Sequence, residues 1–352
     1  MALRVIQWAT GNVGRAAVEG VISHPELELV GAWVSSADKA GRDVGEICGL
    51  GATGVRATGD AAEILAMEAD CVVYAPLLPR LGEVARLLES GKNVVTPVGW
   101  FYPRRADGVA RLEAACLAGG VSLHGTGLHP GGITELFPLV LSRLSRDVRH
   151  VRAEEFSDIR VYRAEAVVRE IMLFGKTPAE AASSPMPALL GNGFGQSIDM
   201  VADALGFALD AEKRTTHEMA VATATIATPV GPIERGTVAA QRFTWQGTVR
   251  GTPVVTVRVS WLMGEDHLDP PWRLDGERFE VEVEGDPSVN LVFRGLQPPV
   301  ATADLDRNPG IVATALHCVN SIPAVCAALP GIRTYLDLPL VAGRAAADLR
   351  RA

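Results

Sequence analysis

Residues 9–14 read Ala9-Thr10-Gly11-Asn12-Val13-Gly14, between an apolar run at 3–8 and a stretch at 13–24 that can be helical. A dinucleotide-binding turn needs one glycine where the backbone approaches a diphosphate and another where the helix packs on its strand. Gly11 and Gly14 hold those places. Ala9 stands at the first glycine of the GxGxxG pattern, which is tolerable where that residue needs no positive φ. With Thr10, Asn12 and Val13, the turn offers peptide N–H groups and a helix N-terminus to phosphate oxygens, so a nicotinamide dinucleotide is the expected ligand. The next apolar run, 27–34, leads into Ser35 and Ser36, with Lys39 and Arg42 close behind. An NAD site usually carries Asp or Glu here for the ribose hydroxyls, whereas hydroxyls and a cation suit a 2′-phosphate. NADP(H) is therefore expected over NAD(H), the alternative cofactor. Asp38 would weaken that preference if it faced the ribose.

Hydride transfer leaves the protein a proton and a charge to manage. The candidate acids are Glu154 and Glu155. On a strand they point to opposite faces, so only one can enter a given cleft, and a structural ion pair is the alternative for either. His129 lies in the glycine cluster 125–132, GTGLHPGG, and its intrinsic pKa suits proton transfer near neutrality. His129 and Gly127 are also candidates for contact with the cofactor, against a role in holding the loop. Tyr102 is a candidate proton donor. The run Trp100-Phe101-Tyr102 could wall an apolar substrate pocket or form a packing cluster. Pro76 and Leu77, in a loop after a predicted strand, are further cofactor candidates. So is Asn320, three residues after His317 on one helical face. His124 and His317 read as structural. No HExxH, paired CxxC or three-histidine cluster is present, so no metal is expected.

These residues need a scaffold. Apolar runs at 3–8, 27–34, 69–74, 93–97 and 121–124 alternate with helical stretches at 13–24, 61–67, 81–90 and 106–118. That is the βαβ pattern of a parallel sheet, whose ligands bind outside the carboxyl ends of the strands. The glycine cluster reads as a flexible crossing into a helix at 133–144. Strands follow at 148–156 and near Val161, then helices at 164–173, 177–190 and 193–205. Strand-like runs at 219–226, 236–246, 254–263, 279–284 and 289–295 predict a mostly antiparallel sheet. Residues 278–284 alternate so that one face is dry. A last helix at 310–329 should bend or stop at Pro323. The expected fold is thus α/β followed by α+β. Its domains are 1–135 (dinucleotide), 136–305 (substrate and dimerisation) and 306–352 (a helix and tail returning to the first domain).

A chain of 352 residues, 48% hydrophobic and 21% charged, can bury two cores. A net charge of −8 gives no general attraction for nucleic acid or anionic membrane. Five cysteines without CxxC spacing read as reduced thiols, and the start has no signal-peptide pattern. No uncharged apolar run of about 18 residues is expected, so no membrane span is predicted and the expected location is cytoplasmic.

Three segments carry a family resemblance: VIQWATGNVG at 5–14, GTGLHPGG at 125–132, and HCVNSIPAVCAALPGI at 317–332 close to DLPL. Over nearly its whole length the chain resembles the dihydrodipicolinate-reductase-like superfamily. It is most similar there to the 2,4-diaminopentanoate dehydrogenase and native amine dehydrogenase branch. The resemblance implies a Rossmann domain, a substrate and dimerisation domain, a homodimer, and reversible NAD(P)-dependent oxidative deamination. In that reaction an amine gives a ketone or aldehyde plus ammonia. The chain departs from the branch in two places. His129 stands where Asn is common, and residues 99–103 hold no acid where amine-active relatives carry a carboxylate. Two alternatives therefore stay open: a carbonyl or imine reductase that uses no ammonia, and a dinucleotide-binding sensor without catalysis.

Overall fold

The structure is a computed structural model that describes residues 2–104, 106–297 and 308–350. The chain divides into two compact units, Met1–Gly132 with Ile311–Ala352, and Ile133–Gly310. The boundary expected between 305 and 306 lies outside the described residues.

The first unit runs β1 (Leu3–Trp8), α1 (Asn12–Ser23), β2 (Leu27–Trp33), α2 (Val44–Cys48), β3 (Ala57–Thr58), α3 (Ala61–Ala66), β4 (Cys71–Tyr74), α4 (Leu81–Glu89), β5 (Asn93–Thr96), α5 (Val109–Gly119) and β6 (Ser122–Gly125). The second begins with a π-turn, Gly132–Leu136. It continues through α6 (Phe137–Ser142), β7 (Arg146–Asp158), α7 (Pro178–Ser183), α8 (Met186–Leu205), β8 (Arg214–Ala222), β9 (Val238–Val249), β10 (Thr252–Leu262), β11 (Leu268–Asp269), β12 (Arg278–Asp286) and β13 (Val289–Phe293). The chain then returns to the first unit with α9 (Pro309–Cys326) and β14 (Gly331–Ile332).

The first sheet is parallel, in the order β14-β6-β5-β4-β1-β2-β3. Its central strands are buried from end to end, because helices cover both faces and no alternation is needed. One face packs Val5, Ala17, Val18 and Val21 against Cys318, Val319 and Ile322 of α9. The other packs Ile6 and Val72 against Leu87, Leu88 and Leu112. Strand order reverses at β1, between β2 and β4, and this switch point opens a crevice at the carboxyl ends.

The second sheet has the order β11-β8-β9-β10-β7-β12-β13 and is antiparallel except for the β7–β10 pair. Helix α8 covers one face, with Phe194 stacked on Trp245 at 4.7 Å. The alternation predicted for 278–284 holds. Phe279, Val281 and Val283 are buried in β12, while Arg278, Glu280 and Glu282 are half-buried on the opposite side.

Several local expectations are corrected. The Val161 region is a 3-10 turn, Ile159–Val161. The helix expected at 164–173 is shorter, residues 165–171, and its last five residues, Val167–Ile171, are π-helical. Helix α8 starts at Met186, not at 193. Pro323 does not end α9. It sits in the last turn, where Ala327 N still donates to Pro323 O at 3.1 Å, so the helix loses only the bond to Val319 O. Helix α9 is also long and apolar enough to cross a membrane, with a mean hydropathy of 1.3 over 18 residues. That is a matter of length and composition alone, since the run also carries Thr314, His317, Asn320 and Ser321. Its apolarity has a local use: Ala315, Cys318, Val319, Ile322 and Val325 form a helical stripe inside the first unit's core.

Candidate functional site

Gln7, buried near the end of β1, sets the glycine turn. Its Nε2 donates to Ala9 O at 2.8 Å, and Ala9 N donates to Trp33 O at 2.9 Å. Ala9 has φ +73°. The condition under which alanine would be tolerated at no cost is therefore not met, and an alanine there costs on the order of 1–2 kcal/mol. Helix α1 then begins with Gly11 as its N-cap, with no side-chain cap and no acid in its first turn. A Cβ on Gly11 would meet nothing within 4 Å, whereas one on Gly14 would stand 2.1 Å from Ala9 O. The two glycines thus do different jobs. Gly14 lets α1 lie against β1, and Gly11 keeps a hollow open above the helix end. Bare N–H donors, a positive helix end and an open hollow fit a diphosphate.

At the carboxyl end of β2, the Lys39 ammonium lies 3.4 Å from Thr10 Oγ1, which brings the cation beside the turn. Ser35 is exposed, and Ser36 Oγ donates to Asp38 Oδ1. That bond, chiefly, holds the Asp38 carboxyl below its ordinary value. Past β4, Pro76 is half-buried and Leu77 is exposed. In the loop after β5, Trp100 has φ +56° and packs on the first unit's core. Phe101 and Tyr102 are buried, with Arg104 4.7 Å over the Tyr102 ring, an arrangement that favours the packing reading for these two.

The glycine cluster is a tight turn, not a flexible crossing. Gly132 N donates to Gly127 O at 2.8 Å, and a Cβ on Gly131 would lie 2.1 Å from Gly127 O. Both ring nitrogens of His129 are covered, and burial pushes the imidazole down to about 3. His129 is therefore neutral at physiological pH, and the expectation of titration near neutrality does not hold. Asn320 is half-buried on α9. His124 Nδ1 meets Arg333 O at 2.7 Å, and burial pushes that ring down to about 4, in keeping with a structural role.

In the second unit, β7 separates the two glutamates as the pleat requires. Glu154 is buried on the face that carries Arg258, whose Nη1 donates to Glu154 Oε1 at 2.5 Å, and Arg152, whose Nε lies 3.4 Å from Oε2. It occupies an ion pair. Glu155 faces the other way. Its Oε1 accepts from Ser157 Oγ at 2.7 Å and from Trp261 Nε1 at 2.9 Å. Burial outweighs both bonds and lifts its carboxyl to about 7. Gln297 Nε2 donates to Ser157 Oγ at 2.8 Å, bracing the serine that holds it. At the end of β7 a cavity of 310 Å³ is lined by Asp158, Arg160, Glu265 and Glu277, and burial lifts Glu277 to about 7 as well.

Sequence reasoning passed over Glu135. It lies in the π-turn just after the glycine cluster and is fully buried, with Thr134 Oγ1 donating to its Oε2 at 2.6 Å and Ser197 Oγ to its Oε1. The available signal was a carboxylate inside an apolar run directly after that cluster. Gln7 was missed too, since nothing local marks a strand glutamine as the clasp of the following turn.

A parallel sheet with a switch point at β1 and an open, uncapped helix end above it defines a nicotinamide-dinucleotide-binding protein of the Rossmann type. Residues 133–351 match the 2,4-diaminopentanoate dehydrogenase C-terminal domain family, and residues 5–94 match the dihydrodipicolinate reductase N-terminus family. An amine dehydrogenase of Streptomyces virginiae is 32% identical over 355 residues, covering 96% of each chain. The 2,4-diaminopentanoate dehydrogenase of Acetoanaerobium sticklandii is 28% identical, over 72% of this chain and 68% of that one. The solved amine dehydrogenase of Mycobacterium smegmatis superposes with a TM-score of 0.80 over 98% of both chains at 23% identity, a likeness of fold. The chain belongs to the 2,4-diaminopentanoate dehydrogenase and amine dehydrogenase family, and is an NAD(P)-dependent oxidoreductase.

Proposed function

We propose that the protein is an NADP(H)-dependent dehydrogenase of small, fairly apolar amines. It would act reversibly on the C–N bond, so that the reverse direction is reductive amination of a ketone or aldehyde. The observation that carries the reading is Glu155, a buried carboxyl lifted to about 7, which can both give and take a proton near neutrality. When bound, the nicotinamide supplies the hydride chemistry. Oxidation of an amine carbon leaves an iminium. Water adds to it with loss of a proton; the amino group then gains a proton and leaves as ammonia, while the hydroxyl gives up its own proton to become the carbonyl. We assign that proton traffic to the Glu155 carboxyl, oriented by Ser157 and Trp261, whose anion also balances the iminium charge.

In the first unit, Thr10, Gly11, Asn12, Val13 and Gly14 would hold the diphosphate. Ser35, Ser36 and Lys39 would hold the 2′-phosphate. Pro76, Leu77, Gly127, His129 and Asn320 would line the rest of the dinucleotide. Lys39 beside Thr10, with Asp38 engaged by Ser36, supports NADP(H) over NAD(H). Ammonia is the second substrate and a second copy of the chain the protein partner. Five free thiols, four of them buried, support residence in a reducing cytoplasm.

The test is NADPH oxidation with a panel of ketones and aldehydes, with and without ammonium. Turnover that requires ammonium is expected, and equal turnover without it would overturn the amine assignment. One observation favours that second outcome, a reductase that uses no ammonia: residues 99–103 hold no carboxylate.

A further inference from the structure

Three polar side chains from distant parts of the chain meet at the carboxyl end of β6. Thr126, the first residue past that strand, is 1% exposed, and its backbone N donates to Thr96 O at the end of β5 at 2.9 Å. Its Oγ1 lies 2.5 Å from the Tyr335 hydroxyl. Tyr335 follows β14, and its hydroxyl lies 3.3 Å from Nδ1 of His317, in the middle of α9. The His124 and Tyr335 rings meet edge to face, their centroids 5.4 Å apart at 84°. Helix α9 also touches the turn next door: a Cβ on Gly127 would lie 3.5 Å from the Thr314 methyl.

Position gives this chain of groups its meaning. The end of β2 receives the adenosine ribose in a Rossmann sheet, and the diphosphate sits at the start of α1. The nicotinamide half must then extend over the ends of β4, β5 and β6, where Thr126 stands. Burial pushes the His317 ring below its ordinary value, which favours the neutral imidazole, and its unprotonated nitrogen can accept a hydrogen bond. With Nδ1 accepting, the phenol donates to the ring and its oxygen accepts from Thr126. All three groups are then satisfied in one direction. An apolar helix that carries a polar side chain into such a chain gains specificity, because a half-satisfied buried network is costly.

We propose that Thr126, Tyr335 and His317 form a hydrogen-bond relay that holds the glycine-rich turn in register for the nicotinamide end of the dinucleotide. Tyr335 and His317 are positioning residues that act through Thr126 and the turn. The relay ties the returning C-terminal segment to the cofactor channel, and its geometry lies wholly within the first unit. The proposal rests on the dinucleotide reading above.

The test compares full-length Tyr335→Phe, Thr126→Val and Thr126→Ser with the parent. The readouts are thermal unfolding without ligand, fluorescence titration with NADPH, and titration with 2′,5′-ADP, which lacks the nicotinamide end. In Tyr335→Phe and Thr126→Val, NADPH affinity is expected to fall by about 10-fold, the loss of roughly one buried hydrogen bond. Affinity for 2′,5′-ADP should stay within about twofold, and kcat should fall more than KM for the amine rises. Thr126→Ser, which keeps the hydroxyl, should restore NADPH affinity. Equal weakening of NADPH and 2′,5′-ADP, or no weakening in a folded Tyr335→Phe, would overturn the relay while leaving the cofactor reading intact. A parent that binds neither NADPH nor NADH would sink both.

Discussion

Gly11 and Gly14 lie one helical turn apart, yet their substitution by alanine should have opposite effects. A Cβ on Gly14 would meet Ala9 O at 2.1 Å, against an ordinary contact of 3.4 Å or more. The obstacle is main chain, which cannot swing aside like a side-chain tip, so α1 must retreat by about 1 Å or the turn must move. Overpacking of this kind costs about 1–3 kcal/mol. Moving Ala9 O also loses the Gln7 hydrogen bond, about 1 kcal/mol more. Gly14→Ala is therefore expected to lose about 2–4 kcal/mol and to lower Tm by roughly 5–15 °C. Gly11→Ala meets open space at φ −72°. The entropy alanine removes from the unfolded chain, about 0.4–1 kcal/mol, offsets its poorer N-capping, so stability should hold within about 0.5 kcal/mol. Its methyl group, however, stands in the hollow assigned to the diphosphate. Loss of one hydrogen bond to a charged group, about 1.5–3 kcal/mol, means dinucleotide binding roughly 10–100-fold weaker. Thermal unfolding and fluorescence titration with NADPH and NADH read the two effects separately. A folded Gly11→Ala protein that binds both coenzymes like the parent would refute the placement of the diphosphate.

Lys39→Ala should weaken NADPH by at least about 10-fold and NADH by less than about twofold, and equal losses on titration would remove the basis for the NADP(H) preference. Glu155→Gln should cost activity at every pH. It should also remove a stability slope: the folded carboxyl keeps its proton up to about 7 and an ordinary one only to 4.5. The favourable term is therefore complete below 4.5 and lost as pH rises to 7. Denaturant titrations between these pH values should show the variant gaining on the parent as pH rises, and parallel curves would mean that Glu155 is not held neutral. Glu154→Ala should cost about 1–3 kcal/mol by leaving Arg152 and Arg258 short of a partner, below the figure for a fully buried pair because both cations are about one-third exposed. Urea unfolding checks it, and a fall in kcat at unchanged stability would transfer the chemical role from Glu155 to Glu154.

The sequence by itself determined what depends on neighbours along the chain. Strand, glycine turn and helix at 3–24 were legible because apolar runs and glycine spacing are local. So was the opposition of Glu154 and Glu155, which follows from the pleat. Composition could not show which glutamate would be an ion pair, because Arg258 lies 104 residues from Glu154 and Trp261 lies 106 from Glu155. Only strand pairing across the second sheet made one a paired anion and the other a near-neutral acid. The same holds for His129, whose titration near neutrality was read from an isolated imidazole and undone by burial. Ala9 took a left-handed conformation because Gln7 and Trp33 hold its carbonyl and amide, against its own preference. Pro323 stayed helical because it fell in the last turn of α9. Desolvation and long-range pairing set pKa values and strain, and neither is a property of any window of sequence.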